Sequence, residues 1–369
     1  MRRMISFRDF DWVLLAFILL ICSLGVLEIY STTAGTKFNG AHVRQIYWIM
    51  AGMALMLTVS LINYQVLLEN AHWFYIASLL SLLAVALVGK KYLGARRWIQ
   101  LPGGQHFQPS EWVKLVLILA LAKYFSGEGE REASLSDVVK AGLIVAVPML
   151  LVLKQPDLGT ALTYLPVAIM GLFLGGIQFR HAAVIMVVAC VLLPTLWIYG
   201  PKFHLVKQYQ KDRLTGFLHP DADSQKSGYQ LEQSKIAVGS GGIWGKGTRK
   251  GTQTQGSFLP EPHTDFIFAA WAEEHGFVGA VALLLLYFMV LMRLIHNAQT
   301  APDSAGGFVV MGVVAVLLFH ILVNAGMVVG FMPVTGIPLP LMSYGGSSVL
   351  FMFLALGIVM NIRMRRFVN

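Results

Sequence analysis

One carboxylate of this chain stands where a polar connection meets an apolar segment, in the stretch FLPEPHTDFIFAAWAEE (258–274). Asp265 is followed directly by Phe-Ile-Phe-Ala-Ala-Trp. A carboxylate at such a boundary is suited to take a proton from a substrate as a general base. Asp265 or Thr264 is also suited to cap the helix that follows, because both side chains carry an acceptor oxygen. From these residues alone, the cap is the stronger interpretation.

Other acidic and histidine side chains flank Asp265 and raise the question of a metal site. They are Glu261, His263, Glu273 and Glu274. Their spacing matches neither the H-E-x-x-H zinc motif nor a thiolate site. Cys22 and Cys190 both lie in apolar runs, which is typical of small buried hydrophobes rather than of a disulfide or a metal pair. The sequence therefore predicts no metal site built by the protein alone.

Two further stretches place ionisable residues at the start of apolar runs. In QPSEWVK, Glu111 and Lys114 are three residues apart, so they lie on one helical face. In KQPDLGT, Asp157 precedes the next run. Ionisable residues at membrane depth are energetically costly and usually functional. An ion pair at a helix start and an N-cap explain the same residues. The two interpretations are balanced for Glu111 and Lys114, and the cap is favoured for Asp157.

Cations concentrate in the polar connections. The stretch GKKYLGARRWIQLPGG (89–104) carries Arg96 and Arg97, and a long polar segment at 201–262 carries Arg213. The net charge of +9 fits connections that face anionic lipid headgroups. No basic stretch forms a recognisable nucleic-acid module, so we expect no nucleic-acid partner.

The long segment also contains a glycine-rich stretch, GSGGIWGKGTRKGTQTQG (239–256). Neither the P-loop motif nor the dinucleotide fingerprint is complete there. Flexible backbone together with Lys246 and Arg249 is nevertheless suited to binding a phosphate. A mobile loop explains the glycines equally well, and both interpretations stay open.

The elements that must position these residues are membrane helices. The chain has 369 residues, of which 56% are hydrophobic and 13% charged, whereas a soluble domain carries about 25% charged residues. Ten apolar runs are long enough to cross a bilayer core of about 30 Å. They lie at 12–31, 45–63, 71–89, 109–126, 137–154, 158–176, 181–200, 266–296, 305–329 and 344–362. The sequence predicts an all-α polytopic membrane protein, with a single domain over 1–369 and one large connection at about 201–262.

Two details refine this architecture. The eighth run is too long for one straight span, and Gly276 with Gly279 is expected to break it. The stretch GFMPVTGIPLPLMSYGGSS (330–348) is rich in proline and glycine between two spans. Irregular backbone at membrane depth is tolerated only where protein or a cavity surrounds it. We therefore expect a rigid connection beside the site.

The distribution of arginine predicts the orientation. An even number of spans puts both termini on one side, and arginines near both ends make that side cytoplasmic. The basic connection at 89–104 then lies outside the cytoplasm, where positive charge is unusual. This placement predicts a functional use for its cations.

Six stretches, taken together, resemble the SEDS family (shape, elongation, division and sporulation). They are GARRWIQL, FQPSEWVKL, KQPDLGTAL, SGYQLEQSKIAVGSGGIWGKG, FLPEPHTDFIFAAWAEEHGFVG and GIPLPLMSYGGSS. They occur in the family's order and span nearly the whole chain. Within the family, GTQTQGSFLPEPHTDFIFA and GIPLPLMSYGG are more similar to the elongation branch than to the division branch.

The resemblance implies a ten-helix peptidoglycan glycosyltransferase of the cytoplasmic membrane. Such an enzyme polymerises lipid II outside the cytoplasm during cell elongation and shape maintenance, and it releases undecaprenyl pyrophosphate. The family's essential aspartate corresponds to Asp265, and its further site residues correspond to Lys114, Glu111 and Asp157. The resemblance also implies a class B penicillin-binding protein as partner.

With Asp265 as the base, cations are expected to bind the pyrophosphate as its charge develops. The available cations are Lys114, Arg96, Arg97, Arg213, Lys246 and Arg249. A divalent cation such as Mg²⁺ is compatible with a pyrophosphate leaving group, although no motif requires one. Two alternatives stay open, namely a lipid II flippase and a non-catalytic scaffold that activates a penicillin-binding protein.

Overall fold

A computed structural model describes residues 9–92, 95–100, 106–127, 132–199, 208–218 and 227–367. The helices are α1 (Trp12–Thr33), α2 (Ala41–Leu61), α3 (Tyr64–Glu69), α4 (Ala71–Val88), α5 (Pro109–Gly127), α6 (Leu135–Lys154), α7 (Leu158–Leu162), α8 (Leu165–Leu174), α9 (Phe179–Tyr199), α10 (Gln208–Leu218), α11 (Ser227–Ser240), α12 (Thr252–Gln255), α13 (Ile267–Gln299), α14 (Ser304–Val329) and α15 (Gly346–Met364). The strands are β1 (Lys90–Tyr92), β2 (Ala95–Gln100) and β3 (His106–Phe107).

The helices identify a multi-pass membrane protein. Within the described residues, six helices are long and apolar enough to cross a bilayer: α1, α2, α6, α13, α14 and α15. Shorter apolar helices occupy Ala71–Leu87, Leu158–Leu174 and Phe179–Val188. All ten predicted apolar runs coincide with a helix or a pair of helices. The number ten for the spans themselves stays a prediction.

The centre of the bundle forms where α15 packs against α2 and α14. Almost every residue of α15 is buried. A Cβ at Gly357 would lie 2.8 Å from the backbone oxygen of Met56, so the backbones of α15 and α2 are in close contact. Small residues permit this approach between membrane helices.

α14 carries polar side chains into this core, and both its ends are well defined. The Asp303 carboxylate accepts the Gly306 N–H at 2.7 Å and caps the first turn. Gly330 ends the helix in the left-handed conformation with φ 85°. The connection from α14 to α15 is irregular but buried, which agrees with the rigid connection expected there.

A small antiparallel sheet corrects the all-α expectation. β1 pairs with β2, and β2 pairs with β3 through Ile99 opposite Phe107 and Gln100 opposite His106. β2 contains Trp98 and Ile99, an aromatic and a β-branched residue of the types that are enriched in strands. The Ser347 hydroxyl donates to the backbone oxygen of His106 (3.3 Å), which attaches β3 to the start of α15.

The long connection at 201–262 is helical in much of its described part. α11 contains the stretch GYQLEQSKIAVG, and α10 contains Arg213. The side chain of Arg213 donates a short hydrogen bond to the backbone oxygen of Thr335. The segment is therefore packed onto the connection between α14 and α15.

α13 breaks at Gly276, as its length predicted. Gly276 has φ 68° and ψ −166°, outside helical geometry. The break frees backbone N–H groups, and those of Phe277 and Val278 donate instead to the carbonyls of Gly242 (2.9 Å) and Ile243 (3.1 Å). The glycine-rich stretch thus supplies the hydrogen bonds that the broken helix lacks.

Backbone N–H groups of the same glycine-rich stretch also donate hydrogen bonds to α13. The N–H groups of Lys246 and Gly247 donate to the carbonyls of Glu273 (3.1 Å) and Glu274 (2.9 Å). A Cβ at Gly245 would lie 2.2 Å from the backbone oxygen of Glu274, so only glycine permits this contact. This packing accounts for the glycines without a mobile loop, and the binding of a phosphate by this stretch stays a prediction.

Candidate functional site

Asp265 lies in the connection immediately before α13. The N-cap residue of α13 is Phe266, whose side chain makes no capping hydrogen bond. The cap predicted for Asp265 or Thr264 is therefore wrong, and the Asp265 carboxylate faces other groups.

The backbone around Asp265 is held by the connection between α14 and α15. The Asn324 side-chain amide donates to the backbone oxygens of Asp265 (2.9 Å) and Ile337 (2.8 Å). The Ser343 hydroxyl donates to the Thr264 oxygen at 2.7 Å. These bonds tie the His-Thr-Asp segment to the proline- and glycine-rich connection and position the carboxylate.

The carboxylate itself lies against Gly336. A Cβ at position 336 would stand 3.0 Å from Asp265 Oδ2 and 3.9 Å from the nearest nitrogen of Arg213. Asp265 is only partly exposed, and burial raises the pKa of its carboxyl from its usual value to about 6. The Arg213 charge opposes this shift. A carboxylate with a pKa near 6 is ionised at neutral pH and is suited to take a proton.

Asp157 forms a second acidic centre at the start of α7. Its carboxylate accepts hydrogen bonds from Gln108 Nε2 (2.9 Å) and from the Thr160 N–H (3.2 Å) and hydroxyl (3.0 Å). The bond from the Thr160 N–H confirms the predicted N-cap. Arg97 Nη1 lies 3.8 Å from the same carboxylate, and the Arg97 side chain also donates to the Pro156 carbonyl.

The backbone at Thr335 and Gly336 joins the two acidic centres. A Cβ at Gly159 would lie 2.7 Å from the Thr335 oxygen, and this same oxygen accepts the bond from Arg213. The charges of Asp157 and Arg97 are close enough to affect the pKa of Asp265, the first raising it and the second lowering it. Two carboxylates and two guanidinium groups therefore belong to one site.

Lys114 is buried inside the bundle. Its Nζ lies 2.9 Å from Glu111 Oε2, 3.4 Å from His320 Nε2 and 4.4 Å from the centre of the Phe351 ring. The predicted pair of Glu111 and Lys114 is therefore present. His320 Nδ1 lies 3.0 Å from the Pro338 oxygen, so the group extends to the connection that holds Asp265. Lys114 is fully buried and has no solvent-facing surface.

Lys246 and Arg249 make their contacts elsewhere. Lys246 Nζ pairs with the buried Glu273 at 2.8 Å and donates to Ser240 and Thr252 at 2.7 Å. The Arg249 guanidinium lies 5.5 Å from the centre of the Tyr30 ring. These contacts engage both cations near the break in α13, about three helical turns beyond Asp265.

Arg96 occupies β2 next to Arg97 but is exposed. Successive side chains of a strand point to opposite faces. Arg97 reaches Asp157, and Arg96 therefore points away from it. Of the cations predicted for the pyrophosphate, the structure brings Arg97 and Arg213 to the two carboxylates.

Sequence reasoning missed several residues that hold this site, above all Gln108, Asn324 and His320. Asn324 and His320 are polar, lie four residues apart in an apolar run and therefore share a helical face. That spacing was a usable signal. For Gln108, the sequence offers no such signal beyond its position before Pro109. Among the described residues, no group of three His, Cys, Asp or Glu side chains is arranged to hold a metal ion.

Comparisons with known proteins give consistent matches over almost the whole chain. A family model described as cell cycle protein, covering FtsW, RodA and SpoVE, matches residues 11–367. The chain is 38% identical over 356 residues to the peptidoglycan glycosyltransferase MrdB of Escherichia coli (strain K12), covering 96% of this chain and 94% of the relative. It is 34% identical over 430 residues to the peptidoglycan glycosyltransferase RodA of Treponema pallidum (strain Nichols), covering 97% and 98%.

Solved structures match as well. A chain from a peptidoglycan synthase complex that coordinates polymerization and crosslinking superimposes with a TM-score of 0.84 at 34% identity, covering 98% of this chain and 99% of that one. The rod shape determining protein RodA of Thermus thermophilus superimposes with a TM-score of 0.72 at 31% identity, covering 98% of both chains.

Proposed function

The chain belongs to the SEDS family, the cell cycle proteins FtsW, RodA and SpoVE, and we infer from this and from its site that it is a peptidoglycan glycosyltransferase. It polymerises lipid II into glycan strands during cell elongation and shape maintenance and releases undecaprenyl pyrophosphate. The observation that carries the inference is the Asp265 carboxylate, held in place by Asn324 and set against Gly336 beside Arg213.

We propose that Asp265 is the general base of the transfer. The 4-hydroxyl oxygen of the acceptor sugar attacks the anomeric carbon of the donor, and the bond from that carbon to the pyrophosphate oxygen breaks. Asp265 takes the hydroxyl proton, and the pyrophosphate leaves with the bonding electron pair. Positioned base catalysis of this kind is worth about 10²–10⁴ in rate.

Arg97 and Arg213 are the proposed ligands of the pyrophosphate. Guanidinium groups bind phosphate oxygens in a bidentate manner, and both lie at the carboxylate pair. Fixed cations stabilise the leaving group most as its negative charge develops. Arg96 is exposed one residue away and adds to the positive field.

Lys114 and Glu111 are proposed to act through the framework of the site. The buried pair links α5 to His320 on α14 and, through His320, to the Pro338 carbonyl. Removing either charge leaves the other buried without its partner, which is strongly destabilising. Lys246 and Arg249 are proposed to maintain the broken α13 in the same indirect way.

A divalent cation such as Mg²⁺ remains a proposal that needs ligands from the substrate. Mg²⁺ is commonly held by one or two carboxylates together with phosphate oxygens. Asp157 already accepts hydrogen bonds from Gln108 and Thr160 and lies beside the Arg97 charge, which makes it less suited to a metal. No step of the transfer is assigned to the ion.

We propose ten membrane spans, with both termini in the cytoplasm and the segment at about 201–262 outside it. In this topology Asp265 and Asp157, which stand at helix starts, and Arg97, which lies in β2, are all on the outer side, where a lipid-linked sugar meets water. The agreement of the ten apolar runs with helices supports the count. Terminal arginines support the orientation.

We further propose a class B penicillin-binding protein as partner, which cross-links the strands. The similarity to a chain of a peptidoglycan synthase complex that coordinates polymerization and crosslinking supports such an assembly. The deciding assay supplies lipid II in detergent to the purified protein, with and without the partner. Glycan chains are expected. Their absence in both cases, with lipid II transport intact in vesicles, would indicate the flippase instead of the polymerase.

A further inference from the structure

A cavity of about 230 Å³ lies within two residues of Asp265 in sequence. One wall is the end of α1 with the connection to α2, and the other is the connection between α12 and α13. The cavity is smaller than the roughly 300–1,000 Å³ of sites for drug-sized ligands, so it accommodates one part of a larger molecule. Its lining includes Thr32, Thr36, Lys37, Ser257, Glu261 and His263.

His263 lines the cavity and stands two residues before Asp265 in the chain. Its ring is buried and packs between Phe38 and Tyr344, with ring centres 4.5 Å and 5.8 Å away. Burial, with a smaller contribution from the Arg44 charge, lowers the pKa of this imidazole to about 4, so it is neutral at physiological pH. The His263 ring is therefore a closely packed, uncharged part of the wall.

Two non-glycine residues of the cavity have left-handed backbone. Ser257 has φ 58° and Glu261 has φ 43°. Such conformations cost on the order of 1–3 kcal/mol and persist where the surroundings impose them, often at binding sites. Both outliers shape the same wall.

The polar groups of the cavity have a distinct chemistry. The hydroxyl hydrogens of Thr32 and Thr36 are already donated to the carbonyls of Glu28 and Thr33, each at 2.9 Å. The Thr36 oxygen also accepts the Phe38 N–H at 3.1 Å, so one of its lone pairs is used, and the remaining lone pairs of Thr32 and Thr36 are left to accept N–H or O–H groups. Lys37 is exposed at the rim with its Nζ 5.0 Å from the centre of the Phe38 ring.

The charges favour a peptide over a sugar. Lys37 offers a cation for a carboxylate, and the Glu261 side chain, 52% exposed, offers an acceptor for amide or ammonium groups. Leu259 and two prolines line the remaining surface and suit small apolar side chains. An uncharged sugar ring would leave both charges without partners.

We propose that this cavity binds the peptide carried by the donor sugar of the lipid-linked substrate. The proposal rests on the proposed function and identifies a substrate group that the same site recognises. The peptide is attached to the sugar ring that also bears the pyrophosphate, so it leaves the reacting carbon within a few bonds. A peptide subsite beside His263 therefore places the anomeric carbon near Asp265.

The test uses two substrates, lipid II and the same lipid-linked disaccharide with the peptide removed. The variants are Lys37→Ala and Lys37→Glu in the full-length protein. The control is Lys140→Ala, because Lys140 is also exposed and lies over an aromatic ring, that of Tyr124 at 5.9 Å, on α6. For lipid II, kcat/KM is expected to fall about tenfold in Lys37→Ala and further in Lys37→Glu, as for a lost charge-assisted contact. For the peptide-free substrate, and for the control variant with either substrate, kcat/KM is expected to stay within twofold of the wild-type value.

An equal loss with both substrates would overturn the proposal, because the cavity would then recognise the sugar. No loss with either substrate would overturn it as well. Kd is measured for both substrates in the Asp265→Asn background, with and without Lys37→Glu, so that binding is tested without turnover. If the wild type forms no glycan, and Lys37→Glu still lowers the affinity only for the substrate that carries the peptide, the subsite is upheld and the polymerase function is refuted.

Discussion

Gly336 and Asp265 are in direct contact: a Cβ added at position 336 would stand 3.0 Å from the Asp265 carboxylate, at a backbone φ of 71°. We therefore expect Gly336→Ala to displace the carboxylate and lower the polymerisation rate at least tenfold. The control is Gly35→Ala, because Gly35 has φ 73° and no atom within 4 Å of the added Cβ. Both variants bear a similar backbone strain of about 1–2 kcal/mol. Equal rates in the two variants would contradict the positioning of Asp265 by this contact.

The buried pair of Glu111 and Lys114 allows structural and chemical effects to be separated. Lys114→Met alone leaves the Glu111 charge buried, and we expect about 3–5 kcal/mol of lost stability. The double variant Glu111→Gln with Lys114→Met removes both charges and is expected to recover most of it. Polymerisation is expected to stay low in both, because His320 loses its cation. Thermal unfolding and glycan synthesis are measured together. Recovery of activity in the double variant would reduce the pair to a stabilising role.

Asp157 both caps α7 and places a negative charge beside Arg97, and two substitutions distinguish these two roles. Asparagine caps a helix about as well as aspartate, whereas alanine loses about 1 kcal/mol. Asp157→Asn is therefore expected to keep the melting temperature but lose rate, since Arg97 loses its carboxylate partner. Asp157→Ala is expected to lose both. If Asp157→Asn polymerises normally, the charge is not required and Asp157 is a cap alone.

Much of the site was predictable from short-range patterns. The aspartate before an apolar run, the acid and base three residues apart, and a run too long for one span all have local signatures. They correspond to the pair of Glu111 and Lys114, to the break at Gly276 and to Asp265, for which the local pattern favoured a helix cap and only the family resemblance implied a base. Each was inferred from residues within a few turns of one another.

Contacts between distant segments could not be predicted in this way. Arg213 meets Thr335 across more than a hundred residues, and the glycine-rich stretch replaces hydrogen bonds lost at Gly276. Lys246 is predicted to bind a phosphate because its charge and the neighbouring glycines are visible in the sequence. Its partner Glu273 is defined only by the folded chain.

The raised pKa of Asp265 predicts a pH dependence of rate. The base must be ionised, so the rate is level above pH 6 and falls about tenfold per unit below it. The stability of the fold changes with pH in the opposite direction. Because the folded pKa exceeds the unfolded one, ionised Asp265 destabilises the fold as pH rises through 6, by on the order of 1 kcal/mol.

The variant Asp265→Asn tests whether ionised Asp265 destabilises the fold. It is expected to melt higher than wild type at pH 7.5 and to lose that advantage at pH 4, where Asp265 is neutral. A variant that melts lower at pH 7.5 and equally low at pH 4 would mean that the carboxylate is stabilised by its partners instead.

The central claim is that Asp265 is the base of a lipid II polymerase. The most direct measurement compares wild type and Asp265→Asn, each purified with the same partner and given lipid II, for the length and amount of glycan formed. We predict a folded, partner-bound variant whose polymerisation is reduced about 10²–10⁴-fold, the usual contribution of a positioned base. Glycan chains of normal length and amount from that variant would contradict the assignment.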